Sequence, residues 1–264
     1  MKTVRFGGID FINSYPLIKP ASGNLKPVEL FQDSPSVLYE KLLARELDAA
    51  MIPTYSMLSG PISKISGEFV IGSDGPVMTV CLYCRSLLKD GIHIALDSKS
   101  RTSVQMLKIL LLMKGYGNIS YEFLSFDQIR QRTDIDAFLL IGDDTFHRDM
   151  PAYSTKTDVG QLWKEMIGTP FVYAVTAARD KKMLNEVNIF LQKNYNLFNE
   201  NKNIWLEKWS SETGIDYGIL EKYLTQSICH KMNPGSVETG VRTFQKYCVK
   251  YGLLKEEKAF QIQV

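Results

Sequence analysis

Two uninterrupted apolar runs, residues 77–84 (VMTVCLYC) and 170–178 (PFVYAVTAA), constrain this chain most. Each is strand-length, rich in β-branched and aromatic side chains, and free of polar alternation, so both are expected to be buried on both faces. Strand–helix–strand units surround them. Residues 3–12 read as a first strand and 28–32 as a second. Asp33-Ser34-Pro35-Ser36 then reads as a helix start, with a capping-type Ser and Pro at the first helical position. The helix continues with Val37, Leu38, Leu42 and Leu43 on one face, and residues 47–52 form a short strand ended by Pro53. That spacing predicts a parallel crossover.

A Gly- and Ser-rich region leads to Gly72-Ser73-Asp74-Gly75-Pro76 and the first apolar run. A second crossover set follows it: a strand over 92–97, the polar loop SKSRTS, an amphipathic helix over 104–114, a strand over 119–124, a short helix over 128–132, and a strand over 136–141 ending at Gly142-Asp143-Asp144. From Lys182 onward everything reads as helix, with Leu184, Val187, Phe190 and Leu191 at helical spacing and Trp205 and Trp209 on one helix face. These stripes are core positions. The prediction is an α/β bilobal clamshell: two mixed sheets with flanking helices, joined by two crossing strands. Residues 1–78 with 178–264 make a discontinuous lobe that carries the C-terminal helices, and residues 79–177 make the inserted lobe.

At 264 residues, two lobes can each bury a core. A net charge of +2 favours neither nucleic acid nor an anionic membrane, so any preference for an anion must be local. The N-terminal MKTVRFGGIDF has no sustained apolar stretch, and the apolar run 106–113 is broken by Lys108 and too short to span a bilayer. A cytoplasmic location is expected. Cys81 and Cys84 sit three apart on a predicted strand and point to opposite faces, so they cannot hold one metal together. With Cys229 and Cys248 they read as free thiols.

Ligands of such a clamshell bind between the lobes, where carboxyl ends of parallel strands meet helix N-termini. Five segments are expected there: Asn13-Ser14 after the first strand; Ser34-Pro35-Ser36 opening the first helix; Ser73, Asp74 and Thr79 along the first crossing strand; Ser100, Arg101, Thr102 and Ser103 opening the helix of the inserted lobe; and Gly142-Asp143-Asp144. SKSRTS is the strongest of them, because hydroxyls and unpaired N–H groups at a helix N-terminus favour an anion. The same hydroxyls also serve as helix caps. Two such starts facing each other suit a small dianion. Asp143-Asp144 is open to three readings: a base pair, a metal pair or a solvated loop. No His or Glu at metal spacing accompanies it. His147, His93 and His230 have no evident partners in sequence. There is no GxSxG, Walker A or GxGxxG pattern.

Five stretches occur in order: INSYPL (12–17), SDGPVMTVCLYCR (73–85), IALDSKSRTS (94–103), LLIGDD (139–144) and DVGQLWKEMIGTPFVYAVTAAR (158–179). Together they resemble the menaquinone-biosynthesis chorismate dehydratases of the futalosine pathway, over nearly the whole chain. The resemblance implies a type 2 periplasmic-binding-protein-like fold, a cytoplasmic enzyme, and no metal or cofactor. It implies a hydro-lyase that eliminates water from dianionic chorismate to give 3-[(1-carboxyvinyl)oxy]benzoate. It leaves homodimer assembly open and implies no nucleic-acid or membrane partner. On this reading Asn13, Thr79 and Asp144 are the catalytic candidates. Ser14, Ser34, Ser36, Ser73, Ser100, Thr102, Ser103 and Gly142 bind substrate, with Ser100, Thr102 and Ser103 on the ring carboxylate. The base is Asp144 or the substrate's own enolpyruvyl carboxylate.

The chain departs from the family pattern at Thr79, where a Ser is expected, and at Thr176, where an aromatic is expected. ICHKM (228–232) also replaces a Tyr-containing stretch. Two alternatives remain. One is a non-catalytic binding protein for a small carboxylate. The other is the sister dihydroxynaphthoate synthase, whose Ser-Pro-Cys-Pro-Asn-Asp start has no counterpart before Phe31.

Overall fold

A computed structural model describes residues 3–21, 27–147 and 152–263. The first crossover forms as expected. Strand β1 (Val4–Ile9) is followed by a 3-10 turn (Ile12–Ser14) and a short helix α1 (Tyr15–Ile18), then by β2 (Val28–Asp33), α2 (Pro35–Leu43) and β3 (Ala49–Pro53). β1 pairs in parallel with both β2 and β3. Pro35 occupies the first turn of α2, and Leu38 and Leu42 bury the face toward the sheet. The first strand is shorter than its apolar run, because the chain turns at residues 12–14 to enter Pro16.

Helix α3 (Thr54–Ser59) and the ten-residue strand β4 (Lys64–Ser73) come next. This region reads as Gly- and Ser-rich in sequence, yet all but two residues of β4 are buried. Gly72 explains part of the disguise, since a side chain there would lie 2.8 Å from the Phe171 carbonyl and 2.5 Å from Met232. Strand β5 (Val80–Cys84) covers only the second half of the first apolar run. Then come β6 (His93–Asp97), α4 (Thr102–Met113), β7 (Ser120–Leu124), α5 (Phe126–Gln131), β8 (Ala137–Ile141) and a 3-10 turn (Asp143–Phe146). Strand β9 (Thr155–Asp158) and helix α6 (Val159–Ile167) precede β10 (Phe171–Ala178). The C-terminal part holds α7 (Lys181–Glu200), α8 (Lys202–Thr213), α9 (Tyr217–Lys222), a π turn (Tyr223–Ser227), β11 (Cys229–Lys231), α10 (Pro234–Lys250) and β12 (Gln261–Gln263). It is therefore not wholly helical: β11 and β12 are short strands recruited by the edge of β4.

The strands form two mixed sheets, one of seven in the order β11-β4-β10-β3-β1-β2 with β12 also on β4, and one of five in the order β7-β6-β8-β5-β9. The smaller sheet is inserted between β4 and β10. β10 pairs with β3 and β4 along its length, so it belongs to the larger sheet, and the chain passes between the sheets over 74–79 and through α6. A division by sheet membership thus places residues 171–178 with the larger unit, ahead of the boundary at 178 expected from sequence.

One hydrophobic cluster runs through both units, and α4 lies inside it with Leu107, Ile109 and Leu110 fully buried. Each such side chain contributes about 1.5–3 kcal/mol of burial. A second cluster covers the far face of the smaller sheet. Cys81 belongs to that cluster and Cys84 to the main one, so the two thiols lie on opposite faces of β5. All four cysteines are free. Among the described residues no helix is long and apolar enough to cross a membrane.

Candidate functional site

The carboxyl ends of β1, β3, β6 and β8 converge on a cavity of about 70 Å³ between the two sheets. Its walls are largely apolar, with Ile9, Phe11, Ile71, Val77, Val80, Ile141 and Ile228 among them. Its polar lining comes from Asn13, Thr79, Tyr173 and the segment Lys99–Ser103. No Asp or Glu is among the described lining residues.

Each polar group is positioned by a different local device. Asn13 rides on the 3-10 turn after β1, held from two sides. The Ile12 N–H donates to Asp143 Oδ2 at 3.0 Å, and His230 Nε2 lies 2.8 Å from the Asn13 carbonyl oxygen. Burial pushes His230 down to about 4, so its ring is neutral near pH 7 and Nε2 carries the donated hydrogen. Burial also pushes the Asp143 carboxyl up to about 6; the Ile12 N–H opposes this, and the charges of Asp144 and Asp10 add to it. Asn13 Oδ1 and Asp143 Oδ1 are both buried without a hydrogen-bond partner.

Thr79 sits on the passage between the sheets. Met78 before it has φ +63°, a left-handed conformation that costs a branched or bulky residue free energy. Asp158 holds this turn in place: its carboxylate accepts the N–H groups of Val77 and Met78, and that of Gln161 as the N-cap of α6. The Thr79 hydroxyl lies 2.8 Å from the Tyr223 phenol.

On the opposite wall, Asp97 organises the loop before α4. Its carboxylate accepts the Lys99 N–H at 2.9 Å and its carbonyl accepts the Ser100 N–H. Ser100 Oγ is buried and unpartnered, at the mouth of a twelve-residue helix whose first N–H groups are not used by a side-chain cap. Thr102 Oγ1 accepts the Tyr55 N–H at 3.2 Å, linking α4 to α3. Lys99 and the exposed Arg101 flank this end, so the lining carries positive charge only.

Six of the eleven residues given catalytic or binding roles from sequence therefore share the cavity: Asn13, Thr79, Ser100, Thr102, Ser103 and Gly142. Five do not. Ser14 is buried and turns its hydroxyl back to the Ile9 and Phe11 carbonyls, closing the 3-10 turn. Ser73 bonds to the Gly75 carbonyl and the Tyr173 phenol. Ser34 and Ser36 lie at the start of α2, where Pro35 is the residue that reaches the cavity. Asp144 points to Lys99 at 3.7 Å and stays outside the lining. Arg101 is expected in the cleft and does line the cavity, and Asp143 is expected beside Asp144, but the sequence assigns none of Lys99, Tyr223 and His230 to the site. Lys99 lies within SKSRTS and is legible there, whereas Tyr223 and His230 reach the site only through tertiary contacts.

The sequence pattern described as menaquinone biosynthesis matches residues 4–250. The chain belongs to this menaquinone biosynthesis family. Its fold is that of periplasmic binding proteins. The crystal structure of protein AF1704 from Archaeoglobus fulgidus is similar at a TM-score of 0.73 and 16% identity, covering 96% of this chain and 98% of that one. The CA3427 gene product of Candida albicans, described as defining a new family with the generic periplasmic binding protein fold, gives a TM-score of 0.71 at 14% identity, covering 100% and 98%. The alkanesulfonate-binding protein SsuA of Xanthomonas axonopodis pv. citri gives 0.64 at 13%, covering 97% and 95%. At these identities the likeness concerns fold alone. Among the described residues of this chain no cluster of three His, Cys, Asp or Glu could hold a metal.

Proposed function

We propose that this member of the menaquinone biosynthesis family is a chorismate dehydratase, forming 3-[(1-carboxyvinyl)oxy]benzoate and water. One observation carries the reading. Two buried, unpartnered side-chain oxygens, Ser100 Oγ and Asn13 Oδ1, line the same cavity from different sheets, in a lining whose described charged residues are all cationic. Unsatisfied buried polar atoms are costly, and a ligand that pairs with them removes the cost.

The α4 end, with Ser100, Ser103, Lys99 and Arg101, suits a carboxylate on the ring. The apolar walls suit the ring itself. Asn13 Oδ1 can accept from an alcohol while the Thr79 hydroxyl donates to it, the pair of contacts that a C4 hydroxyl requires. In the elimination, the electrons of the C3–H bond form the new ring double bond, the C4–O bond breaks, and hydroxide leaves. Aromatisation supplies much of the driving force. Thr79 stabilises charge growing on the departing oxygen. With Asp144 turned toward Lys99, the enolpyruvyl carboxylate of the substrate is the better-placed base for the C3 proton, which combines with the hydroxide as water.

Incubating the purified protein with chorismate tests the reading. A dehydratase converts the diene acid to an aromatic product that is visible by ultraviolet absorbance and mass spectrometry. A shift in melting temperature with no product leaves a non-catalytic carboxylate-binding protein instead.

A further inference from the structure

We infer that Tyr223 is a positioning residue, whose phenol fixes the direction of the Thr79 hydroxyl toward the cavity; this rests on the dehydratase reading above. Tyr223 is fully buried and does not itself line the cavity, so it acts through another group. Its oxygen lies 2.8 Å from Thr79 Oγ1, and either hydroxyl can be the donor of that bond.

The neighbours decide the direction. Thr79 Oγ1 is the phenol's hydrogen-bond partner at 2.8 Å, whereas Thr79 has a second acceptor in the Val77 carbonyl. The single phenolic hydrogen therefore goes to Thr79 Oγ1, the acceptor it has, while Thr79 has an alternative for its own. Burial holds the phenol far above its ordinary pKa, so that hydrogen is retained at any working pH. Thr79 then keeps its own hydrogen free. Its only other acceptor within the protein among the described residues is the Val77 carbonyl at 3.4 Å, a long bond. A ligand oxygen in the cavity is the better partner.

Local backbone geometry aims the ring. Helix α9 gives way at Tyr223 to a wide turn over Tyr223–Ser227, closed by the Ile228 N–H on the Tyr223 carbonyl at 3.0 Å. Such turns are uncommon inside helices and recur at functional sites. Phe146 packs edge-on against the phenol ring at 5.0 Å between centroids. The bond from Tyr223 to Thr79 leaves Thr79 as a donor in the same cavity that Asn13 Oδ1 lines as an unpartnered acceptor. Tyr223 and Thr79 end the reaction unchanged, since the proton lost from C3 and the departing hydroxide together make the water released.

Steady-state kinetics on chorismate with wild type, Tyr223→Phe, Thr79→Val and the double variant test this. Wild-type turnover reads the dehydratase proposal alone; an inactive wild type overturns that proposal and this inference with it. In an active enzyme, Tyr223→Phe should lower kcat about tenfold with KM changed less than about twofold, because only a contact that strengthens in the transition state is weakened. In the Thr79→Val background the same change should have no further effect, as expected for a residue that acts only through Thr79. Unchanged kcat in Tyr223→Phe, or losses that multiply in the double variant, overturn the inference. Should Tyr223→Phe not fold, 3-fluorotyrosine at 223 keeps the shape and sharpens the donor; kcat must then change, and an unchanged kcat overturns it.

Discussion

His230 Nε2 lies 2.8 Å from the carbonyl oxygen of Asn13, a bond between residues far apart in sequence. Asp143 holds the other side of the same turn through the Ile12 N–H. The two clamps respond oppositely to acid. His230 is pushed down from 6.5 to about 4, so its contribution to stability is present above about pH 6.5 and lost as pH falls toward 4. Asp143 is pushed up from 3.8 to about 6, so its contribution is present below about pH 3.8 and lost as pH rises through 6. Each is worth at most about 3–3.5 kcal/mol, at roughly 1.4 kcal/mol per pH unit of displacement. They offset each other between pH 4 and 6.5. Urea denaturation across that range should show Asp143→Asn losing stability on acidification, while His230→Gln gains it. Two variants with parallel pH profiles would sink the idea of opposed clamps.

Ser100 gives a prediction in which stability and activity separate. Its hydroxyl is buried without a partner, so Ser100→Ala removes an unsatisfied group and should leave folding stability unchanged or raise it by up to about 1 kcal/mol. If the protein is the dehydratase proposed above, the same change should raise KM for chorismate several-fold, through loss of a donor at the α4 end. Thermal melting and initial rates check the two halves. A large drop in melting temperature would show that the hydroxyl serves the fold rather than the ligand.

The parallel crossovers were legible because hydrophobic periodicity and Pro–Ser helix starts are local signals. Ser100, Thr102, Ser103 and Asn13 were legible for the same reason: each stands at the end of a strand or the start of a helix. β4 was not, because Gly67 and Gly72 mimic a loop while pairing and burial with β10 decide the outcome. Nor were Tyr223 and His230, nor the part Asp143 plays in holding Ile12, since each acts through a partner more than a hundred residues away. Ser14 and Ser73 read as ligand donors, but backbone carbonyls that needed partners took their hydroxyls first.

Arg101 is exposed at the cavity rim, so its influence on a dianion is long-range and screened. Arg101→Ala should raise KM for chorismate about threefold to tenfold at low salt, and by less at about 0.5 M salt, where the Debye length is only a few ångströms. Wild-type KM should itself rise with salt. Measuring KM at both ionic strengths checks this; equal salt dependence in the two proteins would remove Arg101 from the recognition of charge.

Asp158 and Met78 test how the passage between the sheets presents Thr79. The Asp158 carboxylate accepts the N–H groups of Val77 and Met78, with the Met78 bond at 2.7 Å. It thereby holds Met78 at φ +63°. Asp158→Ala leaves these donors and the α6 N-terminus without their acceptor and should cost about 2–4 kcal/mol. Met78→Gly acts in the other direction: glycine adopts this conformation without the side-chain clash, which is worth about 1–2 kcal/mol, but it loses the half-buried Met packing and adds unfolded-state entropy. The net effect should lie within about 1 kcal/mol of wild type. In the Asp158→Ala background Met78→Gly should recover part of the lost stability, because the turn no longer needs to be held against strain. Denaturant unfolding of the four proteins measures that coupling. Purely additive effects would mean that Asp158 caps α6 and does nothing for the turn that carries Thr79.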